Sequence, residues 1–331
     1  MYSCSEYIQK VSFHLKKEED NADYFLQDQS KQLVIDILLK EAVEMQAESL
    51  TSKETGCMYM FTEKKIDQLT MMYKVFYRTP STLNHIINKM NPYIMQEGEK
   101  IVKNEENLKD PLKFTTKLLE FKAQMDDLIE QAFNNDMKFQ KNRDQSFQNF
   151  MNDCERTPHY IAFYCDNEFK KGFKQLSDDE IDQKLDAVVR LFCCLHGRDQ
   201  FIASFTKLLA QRLLNRTSVS SQAEELMINK LQVECGHNTV NKIKTMFEDM
   251  IKSEQVMTDF KGQMGERSGG SGNQIDGVEF NAEILTSGHW PFQEISKCTL
   301  PRQMQKAQDQ FSQFYVRKFQ SRKIIWLYNH G

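Results

Sequence analysis

The stretch SDDEIDQKLDAVVRLFCCLHGRDQFIASFTKLLAQRLL, residues 177–214, decides the fold. Ser177 with Glu180 is a capping box: the serine hydroxyl can accept from a backbone N–H three residues on, and the glutamate reaches back to the serine N–H. Behind it Ile181, Leu185, Val188, Val189, Phe192 and Leu195 return at steps of three and four, which is the period of one helix face. A second helix carries Phe201, Ile202, Phe205, Leu208, Leu209 and Leu213. Amphipathic helices with so short a connection pack as a bundle.

Toward the carboxy terminus the same grammar continues. Ser221 with Glu224 reads as another capping box, ahead of Met227, Ile228 and Leu231 and a stop at Gly236. A further helix after Thr239 carries Ile243, Phe247, Met250 and Ile251. Phe205, Leu209 and Phe247 are therefore expected in the core. Residues 265–273, GERSGGSGN, form the flexible low-complexity stretch of the chain and mark a boundary or a surface loop. Beyond them the period changes to two: Val278, Phe280, Ala282 and Ile284 alternate with polar residues, as in a strand with one buried face. A helix with Met304, Ala307, Phe311, Phe314 and Tyr315 follows Pro301. Ile324–Tyr328 then reads as a strand buried on both sides.

Toward the amino terminus the chain is helix after helix. Ser30 can cap a helix bearing Val34, Ile37, Leu38 and Met45. Asp110 ahead of Pro111 places a capping carboxylate before a proline whose missing N–H costs nothing at the first helical position. Phe114, Leu118, Phe121, Met125, Leu128, Ile129 and Phe133 follow. Thr157 and Pro158 repeat the arrangement before Ile161, Tyr164 and Phe169, with Gly172 as a stop.

Composition agrees with a mainly helical protein of more than one domain. The chain has 331 residues, too many for one ordinary core. Only 13 Gly and 6 Pro leave few turns for an all-β fold. A net charge of −4 gives no field favouring nucleic acid or an anionic membrane, and no stretch approaches 18 consecutive apolar residues. The eight cysteines show no C-x-x-C pair, so reduced buried thiols are expected, and the protein is expected to be intracellular, in cytoplasm and nucleus.

Catalytic chemistry has no foothold in the sequence, and neither metal nor cofactor is expected. Cys193, Cys194 and His196 lie together, but adjacent helical residues point about 100° apart and do not share one tetrahedral metal easily. Cys235 and His237 straddle a helix stop, and His289 beside Trp290 fits a turn as well as an active-site edge. No phosphate-binding glycine loop and no H-E-x-x-H is present. Asp178, Asp179 and Glu180 occupy a first helical turn, where carboxylates meet the positive end of the dipole. Lys207, Arg212 and Arg216 read as a basic line opposite the apolar stripe, a solvated face.

Several of these segments resemble, in order and spacing, the motifs of the cullin family. They are Ala132–Asp136 with Phe139, Tyr164-Cys165-Asp166, Arg198–Phe201, Leu209–Leu214, Ala223-Glu224 through Glu234-Cys235-Gly236, and Met246–Met250. Leu285–Pro291, Leu300-Pro301, Phe314-Tyr315 and Arg322–Trp326 complete the series. The first 130 residues fit more weakly, as later stalk repeats.

The resemblance implies a mainly α fold: cullin-type helical repeats over 1–176, a helical bundle over 177–264, and a loop with the beginning of a small α/β region over 265–331. It implies a non-catalytic scaffold of a ubiquitin ligase complex, acting in ubiquitin-dependent protein degradation by holding partners close. The partners implied are a RING subunit, a ubiquitin-conjugating enzyme reached through it, and a cullin exchange factor. A helical tether or decoy that binds cullin partners without forming a ligase is the alternative. The adaptor-binding repeat and the lysine that accepts a ubiquitin-like modifier are expected to lie outside this chain. Partner-binding candidates are Lys207 and Arg212, as an exposed basic pair, with Ile284, Trp290 and Trp326. Gln211 stands where some cullins carry a lysine, which weakens the basic helix.

Overall fold

Ser177 and Glu180 form the expected box: the Ser177 N–H donates to Glu180 Oε2 at 2.8 Å and the Glu180 N–H to Ser177 Oγ at 3.4 Å. The computed structural model describes residues 2–268, 274–275, 278–292 and 298–328. Its helices are α1 (Cys4–Phe25), α2 (Asp28–Leu39), α3 (Ala47–Ser52), α4 (Cys57–Thr62), α5 (Ile66–Tyr77), α6 (Leu83–Val102), α7 (Glu105–Lys109) and α8 (Pro111–Phe133). They continue with α9 (Met137–Asn152), α10 (Thr157–Asn167), α11 (Asp178–Cys193), α12 (Arg198–Leu214), α13 (Ser221–Cys235), α14 (His237–Ser268) and α15 (Arg302–Lys318). Two short strands, β1 (Gln274–Ile275) and β2 (Val278–Glu279), pair antiparallel, with Gln274 opposite Glu279. The mainly α expectation holds. The chain divides into two compact units, residues 1–164 with 184–201 and residues 165–183 with 202–331.

The first unit is built on an aromatic core. Asp110 Oδ1 accepts from the N–H groups of Leu112 and Lys113, as its place before Pro111 predicts. All seven apolar residues expected on α8 are buried, and the helix ends on Asn134 in the left-handed region. Phe133 stacks on Phe139 with centroids 4.1 Å apart, and Phe121 stacks on Phe147 at 5.2 Å. Thr157 is buried at the start of α10, with its hydroxyl donating to the Met151 carbonyl.

The phase of α2 differs from expectation. The helix starts at Asp28 with Gln27 before it, so Ser30 lies inside rather than capping. Its inward face is Ile35, Leu39 and Val43, while Val34, Ile37 and Met45 are exposed. A π turn over Lys40–Glu44 absorbs one extra residue, which turns Val43 inward and Met45 out.

In the second unit the fully buried Phe205, Leu209, Met227 and Leu231 confirm the stripes of α12 and α13. Gly236 separates α13 from α14 with φ +79°, a conformation for which glycine is suited. The cap of α13 is Ser220, which accepts from the Ala223 N–H, and Ser221 is the first helical residue. Along α14 the buried series is Val240, Ile243, Met246, Asp249, Ser253, Val256, Met257 and Phe260. Phe247 is only half-buried and Ile251 exposed, so the expected stripe was one step out of phase. Asp249 and Ser253 are polar members of the inward face, which the spacing of apolar residues alone does not mark.

A smaller core joins Val256, Met257 and Phe260 of α14 to Ala307, Phe311 and Tyr315 of α15, with Phe280, Ala282, Ile284 and Trp326 packed on it. The alternation seen in the sequence thus turns the right residues inward. The strand itself is confined to Val278–Glu279, and residues 280–285 have no ladder partner among the described residues. Ile324–Tyr328 likewise forms no strand, and it is not buried on both sides: Trp326 packs inward while Ile325 is 60% exposed. Met304, expected on the inner face of α15, is exposed as well.

Candidate functional site

Arg212 holds the centre of the second unit. Phe205, Leu209 and Arg212 are spaced i, i+4 and i+7, so the guanidinium rides the apolar face of α12 and has no solvent exposure. Its Nε donates to Glu224 Oε1 at 2.7 Å, its Nη2 to Glu224 Oε2 at 3.0 Å and its Nη1 to Asp166 Oδ1 at 2.7 Å. Phe169 and Phe205 sit against the same guanidinium, with centroids 4.9 and 5.5 Å from Cζ. Lys170 donates to Asp166 Oδ2 at 2.8 Å, which balances two carboxylates with two cations. Burial alone would lower the Arg212 pKa, but hydrogen bonding and charge from Glu224 and then Asp166 outweigh it and raise it.

This corrects the reading of Lys207 and Arg212 as an exposed basic pair. Five residues along a helix turn about 140°, so the two cannot share a face. Lys207 is exposed and Arg212 is interior. Glu224, expected in a capping box, is instead the buried partner of Arg212 and accepts from Ser218 Oγ at 3.0 Å. Three sequence segments, around Asp166, Arg212 and Glu224, are joined through one buried charge cluster.

A second polar arrangement joins α14 to the segment 284–290. The Asp249 carboxylate, 4% exposed, accepts from the Thr286 N–H at 2.7 Å, the Thr286 hydroxyl at 2.7 Å and Trp290 Nε1 at 2.8 Å. One turn further along α14, Ser253 Oγ accepts from the Ile284 N–H at 2.6 Å and donates to the Ile284 carbonyl at 3.1 Å. Beside this clasp lies a groove of about 810 Å³, bounded by residues 284–288 on one side and Ile325 and Leu327 on another. Trp290, Phe292, Tyr315 and Phe319 supply apolar wall, and Lys252, Lys318, Arg322 and Lys323 a basic rim. Ile284, Trp290 and Trp326 thus gather around one region: Ile284 and Trp290 line the groove, and Trp326 packs on the core beneath. Composition could not locate Asp249, but its place on the inward face, with Met246 three residues before it and Val256 seven after, was a readable signal.

Four buried thiols are poorly placed for nucleophilic use. Burial pushes Cys4 and Cys194 up to about 11 and Cys165 up to about 12, and it raises Cys57 further. No group of three or more His, Cys, Asp or Glu residues is placed to hold a metal ion among the described residues. No helix among them is long and apolar enough to cross a membrane.

Comparison with known proteins gives matches along the chain. The profile of the cullin alpha solenoid domain matches residues 1–257, and that of the cullin alpha+beta domain matches residues 284–331. Cullin-3 of Dictyostelium discoideum is 31% identical over 330 residues, which is 99% of this chain and 42% of that protein. Cullin-3A of Arabidopsis thaliana is 31% identical over 329 residues, 99% of the chain and 44% of the relative. Human cullin-4A is 32% identical over 324 residues, 97% of the chain and 41% of the relative. The chain therefore spans about two fifths of the length of these relatives.

Proposed function

Because the chain belongs to the cullin family, we propose that it acts as a non-catalytic scaffold of a ubiquitin ligase complex in the cytoplasm and nucleus. Its second unit would hold a RING subunit, which in turn positions a ubiquitin-conjugating enzyme. Catalysis then comes from proximity and asks no reactive group of the scaffold. The observation that carries this reading is the groove beside the clasp. It is lined by two runs outside helix and strand, at 284–286 and at 325 and 327, that have no ladder partner among the described residues. Strand addition, by which the resemblance implies that a RING subunit binds, uses such backbone edges together with pockets for alternate side chains.

Two short runs make a marginal sheet on their own, so the incoming strand would complete it and binding should be weak. Co-purification of the chain with a recombinant RING subunit, followed by titration, tests the proposal. A measurable complex that transfers ubiquitin from a charged conjugating enzyme supports the scaffold. Binding without transfer points to the tether or decoy. Absence of any complex removes the reading.

A further inference from the structure

The clasp does something that a core contact need not do: it satisfies one backbone edge of the 284–286 segment with side chains. In a strand alternate residues turn their N–H and C=O groups to the same edge, and the hydrogen bonds here follow that alternation, with residues 284 and 286 bonded to α14 and 285 not. The N–H and C=O of Ile284 are both taken by Ser253 Oγ, and the N–H of Thr286 by Asp249. Asp249 and Ser253 are four residues apart and lie one above the other on α14. Together they stand in for the neighbouring strand that the segment lacks on that side. The N–H and C=O of Leu285 make no hydrogen bond among the described residues, and Leu285 lines the groove.

We propose that Asp249 is a positioning residue that, with Ser253, pairs one edge of the 284–286 segment and so presents the Leu285 edge to an added β-strand. The argument rests on the strand-addition reading above and deepens it by naming what holds the receiving edge in place. Asp249 touches three donors at two points of the segment, the Thr286 backbone and hydroxyl and the Trp290 indole, which fixes register as well as distance. Glu283, on the same side of the alternation as Leu285, is tied separately to Arg216 at 3.2 Å. The segment is thereby held along its length without a partner strand.

The chain offers its own probe, since Trp290 and Trp326 are its only tryptophans. In a Trp326→Phe background, Trp290 reports the clasp by its emission maximum and by acrylamide quenching. Asp249→Asn keeps the volume but removes the second carboxylate oxygen and brings in a donor. The expected result is a red shift and faster quenching of Trp290, with at least tenfold weaker binding of a recombinant RING subunit. Ser253→Ala should weaken binding by a smaller factor. Hydrogen exchange at the Leu285 amide gives a readout that lost stability alone would not move: slowed by the RING subunit in the parent, not slowed in Asp249→Asn. Met227→Ala, in the core of the bundle, serves as the control for lowered stability and should leave both binding and Leu285 protection intact. Equal binding and equal Leu285 protection in parent and Asp249→Asn overturn the proposal. If the parent itself takes up no RING subunit, the scaffold reading fails. Trp290 quenching then judges the clasp alone: unchanged quenching in Asp249→Asn overturns it, and faster quenching retains Asp249 as the residue that positions the segment.

Discussion

The two units solve the problem of a buried centre in different ways. In the first, stacked rings fill the space between α8 and α9, Phe133 on Phe139 and Phe121 on Phe147, and the Lys122–Asp144 ion pair joins the same two helices. In the second, a guanidinium without solvent exposure occupies the place of a ring, and its carboxylates come from segments 46 and 12 residues away in the chain. A ring core tolerates substitution of one apolar group for another of similar volume, and its cost is graded by the cavity left. A buried ion cluster has no such gradation, because removing one partner leaves uncompensated charge in the interior. The aromatic core should therefore fail by degrees and the charged one abruptly.

The largest expected effect follows from that contrast. Arg212→Ala leaves Glu224 and Asp166 buried without their common partner, and the loss of stability should be about 3–5 kcal/mol or more. Arg212→Lys should recover little, since a single ammonium cannot reproduce the fork that meets both Glu224 oxygens and Asp166. Chemical denaturation of each variant measures both. If Arg212→Lys were as stable as the parent, the geometry of the cluster would carry no weight and the distinction between the two cores would collapse.

Phe139→Ala is the matching test in the first unit, where the ring is fully buried and stacked on Phe133, and it should cost about 3–5 kcal/mol. Phe139→Leu should recover much of this. Phe247→Ala sharpens the comparison: Phe247 is half-buried at a groove of the second unit, so its truncation should cost about 1–2 kcal/mol. Thermal midpoints of the three variants check the order. A loss at Phe247 equal to that at Phe139 would restore it to the core that its sequence period suggested.

What the sequence made legible follows the same division. On α8 the inward face is apolar except for Thr115 and Lys122, so periodicity located its core, and a capping aspartate before a proline located the helix start. On α12 and α14 the inward face includes Arg212, Asp249 and Ser253, and a reading that follows hydrophobicity assigned one to solvent and slid past the others. Glu224 looked like a capping residue because its spacing from Ser221 is right, yet a partner 12 residues earlier in the chain took it instead. Residues 278–284 are expected as a strand because their side chains alternate, and 324–328 because the run is continuously apolar. Alternation reports which way side chains face and says nothing of whether a backbone neighbour is present. Of the candidate residues, Ile284, Trp290 and Trp326 were named individually, but their common neighbourhood depends on Asp249 and Ser253 of α14, more than 30 residues away in sequence from the segment they hold.

Gly56 supplies a prediction of intermediate size in the first unit. A Cβ there would stand 2.6 to 2.8 Å from the carbonyl oxygens of Thr51, Leu50 and Lys53, and backbone atoms cannot move aside as a side chain can. Gly56→Ala should cost about 1–3 kcal/mol by overpacking. Asp110→Ala, which frees the N–H groups of Leu112 and Lys113 at an exposed helix start, should cost about 1 kcal/mol. Both can be read as shifts in denaturation midpoint.

The smallest expected effect concerns charge in the first unit, where the buried Lys122 meets a carboxylate that is itself half exposed. Lys122 donates to Asp144 at 2.9 Å, and Arg143 Nε donates to the same oxygen at 3.0 Å. Burial alone would raise the Asp144 pKa, but the hydrogen bonds and charges of Arg143 and Lys122 outweigh it and hold the carboxyl below its usual range. A carboxyl depressed in the folded state is more protonated in the unfolded chain, so it adds stability above its unfolded pKa, near 4, and loses it as pH falls through the lower folded value. Asp144 is about half exposed, and solvent screening keeps the contribution small. Asp144→Asn should therefore flatten the fall in stability below about pH 4 only slightly and leave neutral stability close to the parent's. Urea midpoints across the acid range measure the difference. A neutral-pH loss as large as that of Arg212→Ala would mean that this cluster is as deeply committed as that of Arg212.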